Sequence, residues 1–115
     1  MEDVLKLQLL FQTLGDSNRL KIIRHIGEGE SSVSEIVEIT GLSQPLVSHH
    51  LRTMRESQIL VTNRKGPFVY YKLKDVRLLS ALGIFLNMAE SLDDTQINKP
   101  ATWTPTWWIE HWNEK

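Results

Sequence analysis

The run Leu42-Ser43-Gln44-Pro45-Leu46-Val47-Ser48-His49-His50-Leu51 combines side chains that can touch the edges of nucleic-acid bases with a spacing that points them one way. Ser43 suits an N-cap, Pro45 sits in a first turn whose N–H groups lack intrahelical partners, and Val47, Leu51 and Met54 recur at helical spacing as a seam for burial. Gln44, Pro45, Ser48, His49, Arg52 and Arg55 are left outside, where a solvated helix would favour Glu and Lys. The chemistry on offer is hydrogen bonding of Gln44, Ser48 and His49 to base edges, with Leu46 available to a thymine methyl group. Gln44 can pair bidentately with adenine, worth ~1–3 kcal/mol of base discrimination. These residues taken alone also fit a short polar surface helix with no partner, so their surroundings decide.

Charge is the second signal. The net charge of −1 hides a division: residues 1–43 hold four Lys/Arg and seven Asp/Glu, residues 44–74 hold six against Glu56 alone, and residues 75–115 hold three against six. Positive charge is concentrated in the segment containing the candidate helix, as a phosphate-facing surface on an otherwise acidic protein requires. Arg52, Arg55, Arg64 and Lys65 are the expected contacts to phosphates or the adjacent minor groove.

A chain of 115 residues with 41% hydrophobic content is expected to form one modest domain. The absence of cysteine excludes disulfides, thiolate ligands and thiol redox chemistry. Residues 1–14 lack a basic segment ahead of an apolar run, and no stretch is apolar for long enough to span a bilayer, so a soluble cytoplasmic protein without membrane partners is expected. Asp16, Asp75 and the histidines at 25, 49, 50 and 111 offer no nucleophile–base spacing, no metal set and no phosphate-cradling glycine loop. Neither an enzyme nor a cofactor is expected.

The elements that position the candidate helix follow from periodicity. Val4, Leu7, Leu10, Phe11 and Leu14 form one stripe, and Leu5 and Leu9 extend it until the first helix needs two covers. Asp16 caps a second helix to about Ile26, with Leu20, Ile22, Ile23 and Ile26 as its expected core side. Ser32 and Glu35 make a capping box for a third helix, Val33 to Thr40, and Gly41 stops it. The tight turn to Ser43 gives a helix-turn-helix. After Ile59 the pattern alternates: 60–64 and 68–73 flank Lys65-Gly66-Pro67 as a hairpin with Arg64 and Lys65 at its tip. Pro67 suits the beginning of an edge strand and argues against a central one. From Asp75 a last helix carries Leu78, Leu79, Leu82, Phe85, Leu86, Ala89 and Leu92, a stripe too wide for one partner. Two over-apolar terminal helices suggest a two-fold dimer presenting two copies of the Ser43 helix.

In this order and spacing, Leu14-Gly15-Asp16-Ser17-Asn18-Arg19-Leu20-Lys21-Ile22-Ile23, the Leu42 to Leu51 run and Gly66-Pro67-Phe68-Val69-Tyr70-Tyr71-Lys72-Leu73 resemble the ArsR/SmtB-type winged-helix repressors. The resemblance implies a mostly α fold with a small β-hairpin wing, and a homodimer through the first and last helices. It also implies a repressor that binds double-stranded palindromic operator DNA and leaves it when an effector binds. Residues 1–92 would form the DNA-binding and dimerisation domain. Family members often have Thr where Leu46 stands and Arg where His49 stands, so the preferred operator need not be theirs.

The family's metal ligands are largely missing. Where many members place two cysteines on the third helix this chain has Ser32 and Ser34, and serine hydroxyls are poor ligands for soft metals. At the second family site the positions read Asp75, Arg77, Met88 and Ser91, with only the aspartate retained, so no metal site is expected.

Residues 93–115 read as an extension docking on the dimer. Trp103, Trp107, Trp108 and Trp112 are all the tryptophans of the chain. They suit either apolar cover on the dimer core, the wall of a pocket for a small-molecule effector, or contact with a partner protein. The alternative for the whole chain is a winged helix that docks proteins and does not bind DNA.

Overall fold

The computed structural model describes residues 2–91. Its elements run α1 (Glu2–Leu14), α2 (Ser17–Ile26), β1 (Glu30–Ser32), α3 (Val33–Thr40), α4 (Gln44–Glu56), β2 (Leu60–Lys65), β3 (Phe68–Leu73) and α5 (Arg77–Glu90). The chain divides into two compact units, residues 1–79 and 80–115, and α5 runs across the division.

Local chemistry sets the helix boundaries. The Asp16 carboxylate accepts from the N–H groups of Asn18 and Arg19 at 2.9 and 3.0 Å, which satisfies two orphan donors of α2. Ser32 and Glu35 close a reciprocal capping box on α3. Gly41 ends α3 with φ 72°, a left-handed conformation natural to glycine, and its N–H donates to the Val37 carbonyl. The Thr40 hydroxyl donates to the Ile36 carbonyl and accepts from the Leu42 N–H, bracing the short turn to α4. Ser43 then caps α4 by accepting from the Leu46 N–H at 3.3 Å.

The turn out of α4 is a Schellman motif: Ile59 N–H donates to the Met54 carbonyl and Gln58 N–H to that of Arg55. Gln58, with φ 64°, occupies the left-handed position usually given to glycine. Ile59 and Met54 are both buried, which supplies the apolar contact that accompanies the motif.

The sheet has three strands in the order β1-β3-β2, both pairings antiparallel. β1 is an addition to the expected hairpin: Glu30, Ser31 and Ser32 pair with Lys72, Tyr71 and Tyr70. Its consequence is that β3 is central, contrary to the inference from Pro67. The ladder begins at the Lys65–Phe68 pair, so Pro67 lies in the turn and no ladder position needs its N–H. Gly66, at φ 63°, followed by proline's fixed negative φ has the sign sequence of a II′ hairpin turn.

The core of the first unit is made by Leu14, Ile22, Ile23, Ile26, Ile36, Val47, Leu51, Met54, Ile59, Leu60 and Leu73. Leu20 is a correction: it is 38% exposed, because Ile22, Ile23 and Ile26 define the inward side of α2 and Leu20 lies on its flank. In α1 only Leu14 is buried, while Val4, Leu5, Leu7, Leu9 and Leu10 are exposed. Among the described residues of α5 none is buried, and Ile84, Leu86 and Met88 are exposed. No helix among the described residues is long and apolar enough to cross a membrane.

Candidate nucleic-acid interface

α4 carries most of the candidate residues, and its buried side fixes how they face. Val47, His50, Leu51 and Met54 are buried, which turns Gln44, Pro45, Leu46, His49, Arg52 and Arg55 outward, with Ser48 half-buried beside them. Spacings of four, four and three put Gln44, Ser48, Arg52 and Arg55 along one side of the helix. The Gln44 side-chain amide donates to the Ser48 hydroxyl at 3.1 Å. That contact holds the amide in one orientation and restricts its freedom before any partner arrives. Ser43, the cap, is exposed at the same end. The N-terminal half of the outer face offers amide, hydroxyl and imidazole groups, with the guanidinium groups following, and its one carboxylate, Glu56, is at the far end.

The hairpin tip separates the two basic residues expected to act together. Lys65 is drawn to Glu30 of β1, with 2.5 Å between ammonium and carboxylate, and Asn63 donates to the same carboxylate at 3.2 Å. The Lys65 ammonium also lies 5.4 Å from the Tyr70 ring centroid. Hydrogen bonding by Lys65, then Asn63, holds the Glu30 carboxyl below its ordinary range, and the same pair raises Lys65. Arg64 projects from the opposite face of β2, since successive strand residues alternate, and pairs with no carboxylate among the described residues. Sequence reasoning missed the Glu30–Lys65 pair because its partners are far apart in the chain and the strand that carries Glu30 has no alternating pattern.

A second missed feature lies behind α4. His50 is 5% exposed and its Nδ1 is 3.3 Å from the Arg19 guanidinium. Arginine only donates, so Nδ1 accepts, and the neutral ring carries its proton on Nε2. Burial pushes the His50 pKa down, Asp16 opposes this, and the charges of Arg19 and His49 add to the lowering. Burial alone would raise Asp16, but the Arg19 N–H, the Arg19 and His50 charges and the Asn18 N–H together bring it below its ordinary value. The same Arg19 donates through Nε to the Thr13 carbonyl at 2.6 Å and through Nη2 to that of Gln12 at 3.3 Å. An open cleft of about 310 Å³ is lined by Lys21, Arg24 and His25 of α2 and by Ile39 and Thr40 at the end of α3.

The positions of the family's metal ligands do not fit a metal. The Ser32 hydroxyl is engaged in the capping box. The Asp75 carboxylate is held by Arg77, through side-chain contacts down to 2.6 Å and the Arg77 N–H, which bring its pKa to about 2. Met88 and Ser91 are exposed, and the Ser91 hydroxyl donates to the Met88 carbonyl. Among the described residues no three His, Cys, Asp or Glu side chains cluster as a metal site. Trp103, Trp107, Trp108 and Trp112, the candidate effector wall, lie outside the described residues.

Comparison with known proteins places these features in a wider set. Residues 16–60 match the profile of the bacterial regulatory proteins of the arsR family. The transcriptional repressor SdpR of Bacillus subtilis is 29% identical over 85 residues, covering 74% of this chain and 94% of that protein. The cadmium resistance transcriptional regulatory protein CadC of Listeria innocua is 31% identical over 83 residues, 71% of this chain and 70% of that one. The homodimeric winged helix-turn-helix DNA-binding domain (fragment 1–100) from Mycobacterium bovis superposes with a TM-score of 0.67 at 25% identity. It covers 78% of this chain and 84% of its own.

Proposed function

This chain belongs to the arsR family of bacterial regulatory proteins, and from that membership we propose that it is a homodimeric, sequence-specific DNA-binding repressor acting on a palindromic operator. The observation that carries the proposal is the outer face of α4. Gln44, Ser48 and His49 stand together at its N-terminal half, braced by the Ser43 cap and the Gln44–Ser48 hydrogen bond. Gln44, Ser48 and His49 meet base edges in the major groove, with Pro45 and Leu46 beside them, and Ser43, Arg52, Arg55 and Arg64 hold the backbone. Lys65 joins them only by leaving Glu30.

The exposed leucines of α1 and the exposed Ile84, Leu86 and Met88 of α5 support dimerisation through both helices. A two-fold dimer sets two α4 helices on one duplex, each in its own half-site. The repressor does not sense metal through positions 32, 34, 75, 77, 88 and 91, whose side chains supply no ligand set. For residues 93–115, which lie outside the described residues, apolar cover, an effector wall and contact with a partner protein stay as alternatives, and a loss of inducer response with retained DNA binding on deletion after Asp94 would assign sensing to them.

Fluorescence anisotropy with duplexes recovered from a random pool, titrated with salt, tests the reading. The expected result is binding whose log K falls with log salt by ~0.9 for each phosphate contacted. A chain that only docks proteins would show no salt-sensitive DNA binding.

A further inference from the structure

We infer that Arg19 and neutral His50 form a joint that sets the seat of the reading helix α4 against the end of α1, and that protonation of His50 opens it. The inference rests on the repressor reading for its consequence and on geometry for the joint itself.

The last turn of a helix leaves carbonyls without partners, and α1 has no basic residue of its own there. Arg19, from the next helix, donates to the carbonyls of Gln12 and Thr13 and so supplies that missing cap. Its remaining nitrogen, Nη1, reaches His50 in the middle of α4. The backbone N–H of Arg19 is meanwhile fixed by the Asp16 cap. One guanidinium therefore ties three helices: the end of α1, the start of α2 and the inner side of the helix whose outer side carries Ser48 and His49. His50 is the turn-mate of both reading residues, so a shift of its ring moves the face that meets the bases.

The tie depends on the charge state of His50. Nδ1 accepts only while unprotonated. A proton added there would face the Arg19 guanidinium at the distance of the present hydrogen bond, and the contact would become a repulsion between like charges. The groups that face the ring are Arg19 and Asp16 from the α2 side and His49 from its own helix. Asp16 caps α2 through Oδ1 alone and acts on the ring through its charge, which favours the protonated form and is outweighed by burial. Arg19 and His50 are thus positioning residues that do not touch DNA, and they connect the helix bearing the exposed leucines to the helix that reads.

The test uses the full chain with Arg19→Ala, Arg19→Lys, His50→Asn and His50→Leu. Asparagine keeps an acceptor near the place of Nδ1 but cannot be protonated; leucine removes the acceptor. At pH 7.5, Arg19→Ala should weaken DNA binding on the order of tenfold, a coupling usual within one hydrogen-bond network, and should cost much less in the His50→Leu background. From pH 7.5 to 5.5 an acid-side loss of affinity should be present with His50 and absent in His50→Asn, both measured in a His49→Gln background so that the neighbouring imidazole contributes nothing. Imidazole NMR of the free protein should show the Nε2–H tautomer of His50, with a titration midpoint that moves in Arg19→Lys and Arg19→Ala. Should Arg19→Ala fail to fold, the His50→Asn profile and the Arg19→Lys spectrum carry the same test. Equal effects of Arg19→Ala with and without His50, or acid profiles that are identical with and without the His50→Asn change, would overturn the joint. Absence of any DNA binding with a His50 titration that still follows Arg19 would overturn the repressor reading and leave the joint standing.

Discussion

Arg64 and Lys65 are neighbours in sequence with opposite electrostatic situations, and replacing each with alanine should give different salt dependences of DNA binding. The Lys65 ammonium stands 2.5 Å from the Glu30 carboxylate, so a phosphate must compete with a partner already in place. Arg64, on the other face of β2, has no such competitor among the described residues. One phosphate contact contributes ~0.9 to the slope of log K against log salt, so its loss removes about 3.5-fold of the affinity change between roughly 50 and 200 mM salt. Arg64→Ala should therefore lower the slope by ~0.9, and to the same extent on specific and unrelated duplexes, whereas Lys65→Ala should change it by well under half that amount. Glu30→Gln releases Lys65 and should raise the slope. Anisotropy titrations at four or more salt concentrations resolve these differences. Equal losses for Arg64→Ala and Lys65→Ala, with Glu30→Gln indistinguishable from wild type, would refute the division of labour.

Other expectations concern the scaffold. Gln58→Gly removes a side chain from a left-handed position and should stabilise the fold by ~0.5–1 kcal/mol in denaturant melts, unless loss of the Lys74 contact to the Gln58 side chain offsets it. Ser32→Ala breaks the capping box of α3 and should cost ~1 kcal/mol in the same assay, with Ser32→Asp restoring most of it. The lowered pKa of His50 means the unfolded chain binds that proton more readily than the folded one. His50 should thus contribute stability that is fully present above its ordinary pKa of ~6.5 and lost as pH falls through the folded value. The difference between the urea midpoints of wild type and His50→Asn should be constant well above about pH 6.5 and shift below it, with wild type losing stability faster; parallel curves throughout would contradict this.

The parts of this fold that sequence made legible are those written in local chemistry. Asp16, Ser32 with Glu35, and Ser43 with Pro45 each announce a helix start within four residues, and the structure places a helix after each. The outward set on α4 was equally readable, since Val47, Leu51 and Met54 fix the inward side and leave Gln44, His49 and Arg52 no alternative. What escaped reading depends on distant partners. β1 is three residues long and exists because β3 offers it a ladder, and that ladder made β3 central despite the adjacent Pro67. Glu30 met Lys65 only once β1 had placed it, and Arg19 met His50 only once α2 had crossed behind α4. Leu20 looked inward by composition, yet three isoleucines had already taken the inner side of α2.

The most direct test of a two-fold repressor reading DNA through α4 is equilibrium binding of wild type and Gln44→Ala to a duplex selected from a random pool, with the stoichiometry of the complex measured alongside. Two chains should bind each duplex, and the selected sequence should contain inverted half-sites about one helical turn apart. Gln44→Ala should lose ~1–3 kcal/mol on that duplex and little on unrelated DNA. A one-chain complex, no recurring sequence, or the same loss on every duplex would contradict the account.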